Sequence, residues 1–244
     1  MRRTRRSHGR DCSSSHLEGF EELDIGGGLV ELAVYAHAVD VDRVLAELPG
    51  AEVVPVAAGW EDAWRDFHRP VVAGGLWLGP PWETPPEPRR AVVIDPGRAF
   101  GTGSHPTTRL CVELLAATTP CGEVLDVGCG SGVLAIAAAK LGFAPVVAVD
   151  VDPVAVETAR ANAAANGVSV STAVVDALAE PLPRADLAVA NVLLRPVEAI
   201  LARLDVGEAI TSGYLAGERP AHPGWAHVEA LELDGWAADR FRRA

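Results

Sequence analysis

An α/β fold built on a mostly parallel sheet, with an antiparallel edge at its C-terminal end, is predicted for this chain by three observations. From Ala91 onward strand and helix signals alternate. A buried strand over 124–127 runs straight into a glycine-rich turn at Gly128, Gly130 and Gly132, and the following strand ends in an acidic residue, Asp150, 20 residues after Gly130. Alternation of this kind covers both faces of a sheet with helices, which goes with parallel pairing through crossovers.

The elements follow in order. Residues 1–16 carry Arg2, Arg3, Arg5, Arg6 and Arg10, then Ser13, Ser14 and Ser15, with almost no apolar content, and are expected to be disordered. A nucleic-acid arm or an organellar transit peptide is the other reading of that composition. Residues 17–58 read as a small β-α-β piece: a strand over 29–35, a helix over 40–48 with Asp40 as its N-cap, and a strand over 52–56. A linker over 59–90 comes next. Its Trp60, Trp64 and Phe67 fall on one helical face, suited to packing, and its Pro80, Pro81, Pro85, Pro86 and Pro88 exclude a regular central element there. The main domain, 91–244, is expected to hold strands over 92–94, 124–127, 146–149, 170–174, 187–190 and 209–212. Its helices are expected over 106–118, 133–141, 153–166 and 196–204. The final runs, 226–233 and 235–241, flank Asp234-Gly235, a tight hairpin signal, which makes the C-terminal edge antiparallel.

Composition narrows the function. A chain of 244 residues, 49% hydrophobic and 22% charged, can bury one principal core with a small appendage. No run approaches the roughly 18 apolar residues of a membrane span, and no signal-peptide core is present, so a cytoplasmic location without a membrane partner is expected. Cys12, Cys111, Cys121 and Cys129 form neither a CxxC pair nor a zinc spacing and read as reduced thiols, with no metal site. A net charge of −12 argues against direct nucleic-acid binding, because phosphate contact needs a basic footprint, and points to a basic protein or a small molecule as partner.

The glycine turn carries the chemistry. Glycines let the chain turn sharply and let a ligand lie against backbone, while Asp150 is placed to accept hydrogen bonds from ribose hydroxyls. That spacing would also fit a nicotinamide dehydrogenase, so the turn itself must discriminate. Dinucleotide binders use G-x-G-x-x-G and set a pyrophosphate over a helix N-terminus. Here the order is G-x-G-x-G, preceded by Asp126. This resembles motif I of the class I methyltransferases, whose ligand, S-adenosylmethionine, carries no phosphate; the resemblance implies that Asp126 lies near its methionine part. Asp176 follows the next strand, where members of that class often contact the adenine amine. Asn191 ends the strand over 187–190, and its carboxamide can hold the cofactor's ammonium or orient an incoming amine; capping the next helix is the plain alternative. The Asn/Asp-Pro-Pro-Tyr/Phe found in many amino-group methyltransferases is here Asn191-Val192-Leu193-Leu194.

The most specific run is Asp95-Pro96-Gly97-Arg98-Ala99-Phe100-Gly101-Thr102-Gly103-Ser104-His105-Pro106-Thr107-Thr108. With the glycine turn, Asp150, Asn191, Pro80-Pro81-Trp82-Glu83 and Thr211-Ser212-Gly213, it resembles the ribosomal protein L11 methyltransferase family over most of residues 17–215. The resemblance implies a Rossmann-like seven-stranded methyltransferase sheet with a small α+β substrate-recognition domain before it. It implies that Thr107, Gly128, Gly130, Asp150 and Asn191 contact S-adenosylmethionine, with Phe100, Gly101 and Thr102 closing over it and Asn191 as the catalytic candidate. The implied activity is methylation of lysine side chains or an N-terminal amine on ribosomal protein L11. His105 could be read as a general base, but a histidine followed by proline at a helix start is better suited to capping or packing. Only about 40 ordered-looking residues, 17–58, precede the tryptophan-bearing linker, roughly half of a ferredoxin-like substrate domain. A different protein, a small-molecule substrate, or cofactor binding without catalysis are therefore the alternatives.

Overall fold

The structure, a computed structural model, describes residues 19–24, 30–35, 69–95, 103–120 and 122–244. It divides into two units, Met1–Glu61 and Asp62–Ala244. In the first, β1 (Gly19–Asp24) and β2 (Val30–Tyr35) pair antiparallel, with Gly19 opposite Tyr35 and Asp24 opposite Val30. The strand expected over 29–35 is β2, but its partner is β1, a strand the sequence reading had not assigned. The segments expected over 1–16, 40–48 and 52–56, the aromatic helix bearing Trp60, Trp64 and Phe67, and the loop residues Phe100, Gly101 and Thr102 lie outside the described residues.

In the second unit, β3 (Val71–Ala73), β4 (Leu76–Gly79) and β5 (Ala91–Val93) form a three-stranded sheet in that order. Two expectations are corrected here. The strand read over 92–94 joins this small sheet, parallel to β4, and not the main one. The stretch 59–90 is also more than a linker, because Gly74 and Gly75, at φ +54° and +71°, turn β3 back onto β4 and place Ala73, Leu76 and Leu78 in the core. The proline-rich stretch holds no strand; a single 3-10 turn, Pro88–Arg90, precedes β5.

The main sheet comprises β6 (Val124–Val127), β7 (Val146–Asp150), β8 (Ser171–Val174), β9 (Leu187–Asn191), β10 (Glu208–Leu215), β11 (Trp225–Leu233) and β12 (Trp236–Arg243). Their order is β11-β12-β10-β9-β6-β7-β8. The five strands β10 to β8 run parallel, whereas β12 is antiparallel to both β10 and β11. The seven strands and the antiparallel edge agree with expectation. Asp234 and Gly235, at φ +51° and +81°, make the hairpin turn that their sequence signals.

Period-two alternation feeds two cores. Val124, Val146, Leu187, Val189 and Ile210 join one apolar cluster, while Leu125, Val127, Val149, Ala188 and Ala209 join another on the opposite face. Helices α1 (Pro106–Ala117) and α2 (Val133–Lys140) contribute Leu110, Leu114 and Ile136 to the first. Helix α3 (Pro153–Ala165) adds Ala159 and Ala163 to that cluster, and α4 (Leu194–Arg203) covers the second with Val197, Ile200 and Leu201. Helix α4 begins two residues before the expected Pro196. The proline falls in the first turn, where its missing N–H leaves no helical bond unmade. Strand order reverses between β6 and β9, and at such a switch point the carboxyl ends of the strands open a crevice.

Candidate functional site

At that crevice lies a cavity of about 600 Å³, walled by the turns after β6, β7, β8 and β9, by the first turn of α1 and by Trp236. The turn after β6 is built as its glycines require, with Gly128, Gly130 and Gly132 at φ +74°, +52° and +81°. The amides of Gly128 and Cys129 both donate to the Val149 carbonyl, at 2.9 and 3.1 Å, which ties the turn to β7. A Cβ on Gly128 would come within 2.6 Å of Val192 Cγ1, and one on Gly132 within 2.9 Å of Ala159 Cβ. These two glycines therefore make room for neighbouring protein.

Asp150 stands at the end of β7 with both carboxylate oxygens anchored. Oδ2 accepts from Gly130 N at 2.9 Å and Oδ1 from Asp152 N at 3.0 Å. Each oxygen keeps further acceptor capacity at the cavity wall. Asp152 in turn caps α3 by accepting from Val154 N at 2.8 Å. Asp176, directly beyond β8, also borders the cavity; its Oδ1 accepts from Leu178 N at 2.9 Å and its own amide donates to Glu180 Oε1 at 2.9 Å.

Asn191 closes the far side. Its Nδ2 donates to the buried Thr108 Oγ1 at 3.3 Å, which orients the carboxamide. The N-cap of α4 is Leu193, without a side-chain bond, so Asn191 does not cap that helix. Thr107 is buried, and both its amide and its hydroxyl meet His105 Nδ1, at 3.3 and 2.8 Å. If both donate, the ring proton sits on Nε2. His105 is thus the N-cap of α1, and its ring packs edge-on against Trp236 at 4.9 Å between centroids. Burial holds its pKa below the ordinary histidine value, so the neutral capping form is favoured, in line with the capping and packing reading.

Asp126 is not among the residues that line the cavity. Alternation along β6 turns its carboxylate away from the cavity and under the first turn of α2, where Oδ2 accepts from Ala135 N at 3.0 Å. The side chain is 1% exposed, and Oδ1 is buried without a hydrogen-bond partner among the described residues. Burial pushes its pKa up to about 7; the Ala135 hydrogen bond pulls the other way, and the nearby Asp150 charge adds to the rise.

The structure brings Thr107, Gly128, Gly130, Asp150, Asp176 and Asn191 to one cavity, does not bring Asp126 there, and describes neither Phe100 nor Gly101 nor Thr102. Thr108 and Trp236 also line it; Trp236 was not among the expected site residues. Thr108 carries the same helix-start signal as Thr107. Trp236 had only its place beside a hairpin turn. No lysine or arginine is found among the described residues of the wall, which is mainly apolar. Such a wall offers two carboxylates, Asp150 and Asp176, as acceptors for hydroxyl or amine groups, over an apolar floor. Among the described residues there is no cluster of metal ligands and no helix long and apolar enough to cross a membrane.

Comparison with known proteins places these features in context. The model of a family described as ribosomal protein L11 methyltransferase (PrmA) matches residues 50–243. The ribosomal protein L11 methyltransferase of Symbiobacterium thermophilum is 44% identical over 196 residues, covering 73% of this chain and 64% of that relative. The one from Pseudomonas paraeruginosa is 41% identical over 248 residues, covering 95% of this chain and 82% of that relative. The solved structure of a ribosomal protein L11 methylase from Lactobacillus delbrueckii subsp. bulgaricus superposes with a TM-score of 0.62 at 30% identity, over 69% of this chain and 94% of that one.

Proposed function

Because the chain belongs to the ribosomal protein L11 methyltransferase family, we propose that it transfers methyl groups from S-adenosylmethionine to amine nitrogens of ribosomal protein L11. The acceptors are lysine side chains, an N-terminal amine, or both. The observation that carries this reading is the cavity at the switch point, with an anchored Asp150 on one side, an oriented Asn191 on the other and no cation in its described wall.

Bound there, S-adenosylmethionine supplies a methyl group on an electrophilic sulfonium. The protein's part is alignment, since bringing donor and nucleophile together in line removes much of the entropic barrier. Asp150 holds the ribose hydroxyls on oxygens already fixed by Gly130 and Asp152. Asp176 takes the adenine amine, and Thr107 with the Gly128–Gly130 backbone borders the rest. Asn191, its Nδ2 engaged by Thr108, presents Oδ1 to an N–H of the acceptor amine and so aims the nitrogen lone pair. The acceptor loses its proton to water before attack. His105 has its Nδ1 committed to Thr107 and is not needed as a base. A ribosomal-protein substrate goes with a cytoplasmic site of action, and a net charge of −12 with a basic protein partner and no nucleic-acid contact.

The test is transfer of labelled methyl to purified L11, with mass spectrometry of the product and an Asp150→Ala control. Methylated lysine or N-terminal amine, lost in the control, is expected. Loss of the hydrogen bonds donated to a charged carboxylate should weaken cofactor binding by about tenfold or more. Cofactor binding without any methylated L11 would sink the substrate and leave the site, and no cofactor binding would sink both.

A further inference from the structure

We propose that Asn162, on α3 and outside the cavity wall, is a positioning residue for the methyl donor, acting through the glycine turn. The inference rests on the S-adenosylmethionine reading of the cavity. Asn162 is 4% exposed, and its carboxamide joins two stretches of chain that are far apart in sequence. Nδ2 donates to Ser131 O at 2.9 Å and to Asp95 O at 3.2 Å, while Oδ1 accepts from Asp95 N at 3.2 Å. One turn on, at the C-cap of α3, Asn166 treats Val93 the same way, accepting from its amide at 2.8 Å and donating to its carbonyl at 2.6 Å. Spacing of i and i+4 puts the two carboxamides on one helical face, where they stand in for a neighbouring strand along Val93–Asp95.

Only Asn162 also reaches the glycine turn. Ser131 sits between Gly130, whose amide fixes Asp150, and Gly132, which lies against Ala159 on the same helix. Helix α3 therefore grips the turn from two points, one of contact and one of hydrogen bonding. Releasing the second lets Gly130 drift, and with it the carboxylate that meets the ribose. Asn166 makes no such link; its remaining bond goes to Asn162 O at 2.8 Å on its own helix.

The pair supplies its own control. Asn162→Asp keeps the size and the acceptor for Asp95 N–H, but sets an oxygen against the carbonyls of Ser131 and Asp95. Asn166→Asp makes the matching change against Val93 and Asn162 alone. For wild type and both variants at pH 8, the measurements are melting temperature, S-adenosylhomocysteine affinity by calorimetry, and KM and kcat for methyl transfer. Asn162→Asp is expected to weaken S-adenosylhomocysteine binding and raise the S-adenosylmethionine KM by about tenfold, as for one or two lost hydrogen bonds, with kcat within about twofold. Asn166→Asp is expected to lower the melting temperature similarly while leaving both affinities within about twofold. An Asn162→Asp protein that binds like wild type, or an Asn166→Asp protein that weakens binding equally, overturns the proposal. If Asn162→Asp does not fold, Asn162→Ser carries the same expectation. A wild-type protein that fails to bind S-adenosylhomocysteine overturns the donor reading and the inference together.

Discussion

Asp126 is a buried carboxyl beneath the start of α2. It precedes the glycine turn, as an acidic ligand contact would, yet it lies under α2 with one oxygen unpartnered among the described residues. Its folded pKa of about 7 lies above the roughly 3.9 of an unfolded aspartate. Between those values the folded protein holds a proton that the unfolded chain has released. Its contribution to stability therefore falls as pH rises through that window and levels off above about pH 7. An asparagine in its place has no carboxyl to ionise. In the absence of cofactor, the Asp126→Asn variant is expected to lose less melting temperature between pH 5 and pH 8 than wild type. Parallel curves would show that another group titrates. For Asp150 the position at a strand end is a local property of the chain, whereas the bond it accepts from Gly130 N, 20 residues away in sequence, exists only because β6 pairs with β7.

At the scale of elements, helix α1 links its own start to the end of the chain. His105 caps it, Thr107 and Thr108 line the cavity from its first turn, and Trp236 packs on the His105 ring from the beginning of β12. Replacing His105 with alanine should cost about 1 kcal/mol through the lost cap, and His105→Asn should restore most of it, because asparagine caps well. Neither change removes a base in this mechanism, so kcat of His105→Asn is expected to stay within about fivefold of wild type, without the pH dependence of a lost catalytic group. A collapse of kcat in His105→Asn with stability intact would return the histidine to catalysis. The cap could be anticipated from a polar residue before Pro106. The Trp236 contact could not, since it joins two elements distant in sequence.

At the scale of the molecule, the described core and cavity belong to the unit Asp62–Ala244. A protein trimmed to this unit is expected to bind S-adenosylhomocysteine within about twofold of the full chain. Its kcat/KM on L11 should drop by about tenfold or more if the segment before it recognises substrate, as the family resemblance implies. Unchanged activity on L11 would refute that assignment, and lost cofactor binding would show that the second unit depends on the first.

The strands and helices of the main sheet from β6 onward, its antiparallel end and the glycine turn were readable in advance, because each follows from short-range pattern: apolar period, glycine where φ is positive, Asp-Gly at a hairpin; the short strands β1, β3 and β4 were not. The family resemblance was readable too, being carried by contiguous motifs. Partnership was not. The run 91–93 is apolar whichever sheet it joins, and only packing put β5 beside β4. The same holds for Asp126, whose direction depends on which face of β6 meets the cavity. It holds again for Asn162, whose task exists only once α3 lies across both Asp95 and Ser131. Local geometry is written residue by residue along the chain, whereas a contact between distant segments depends on how whole elements dock.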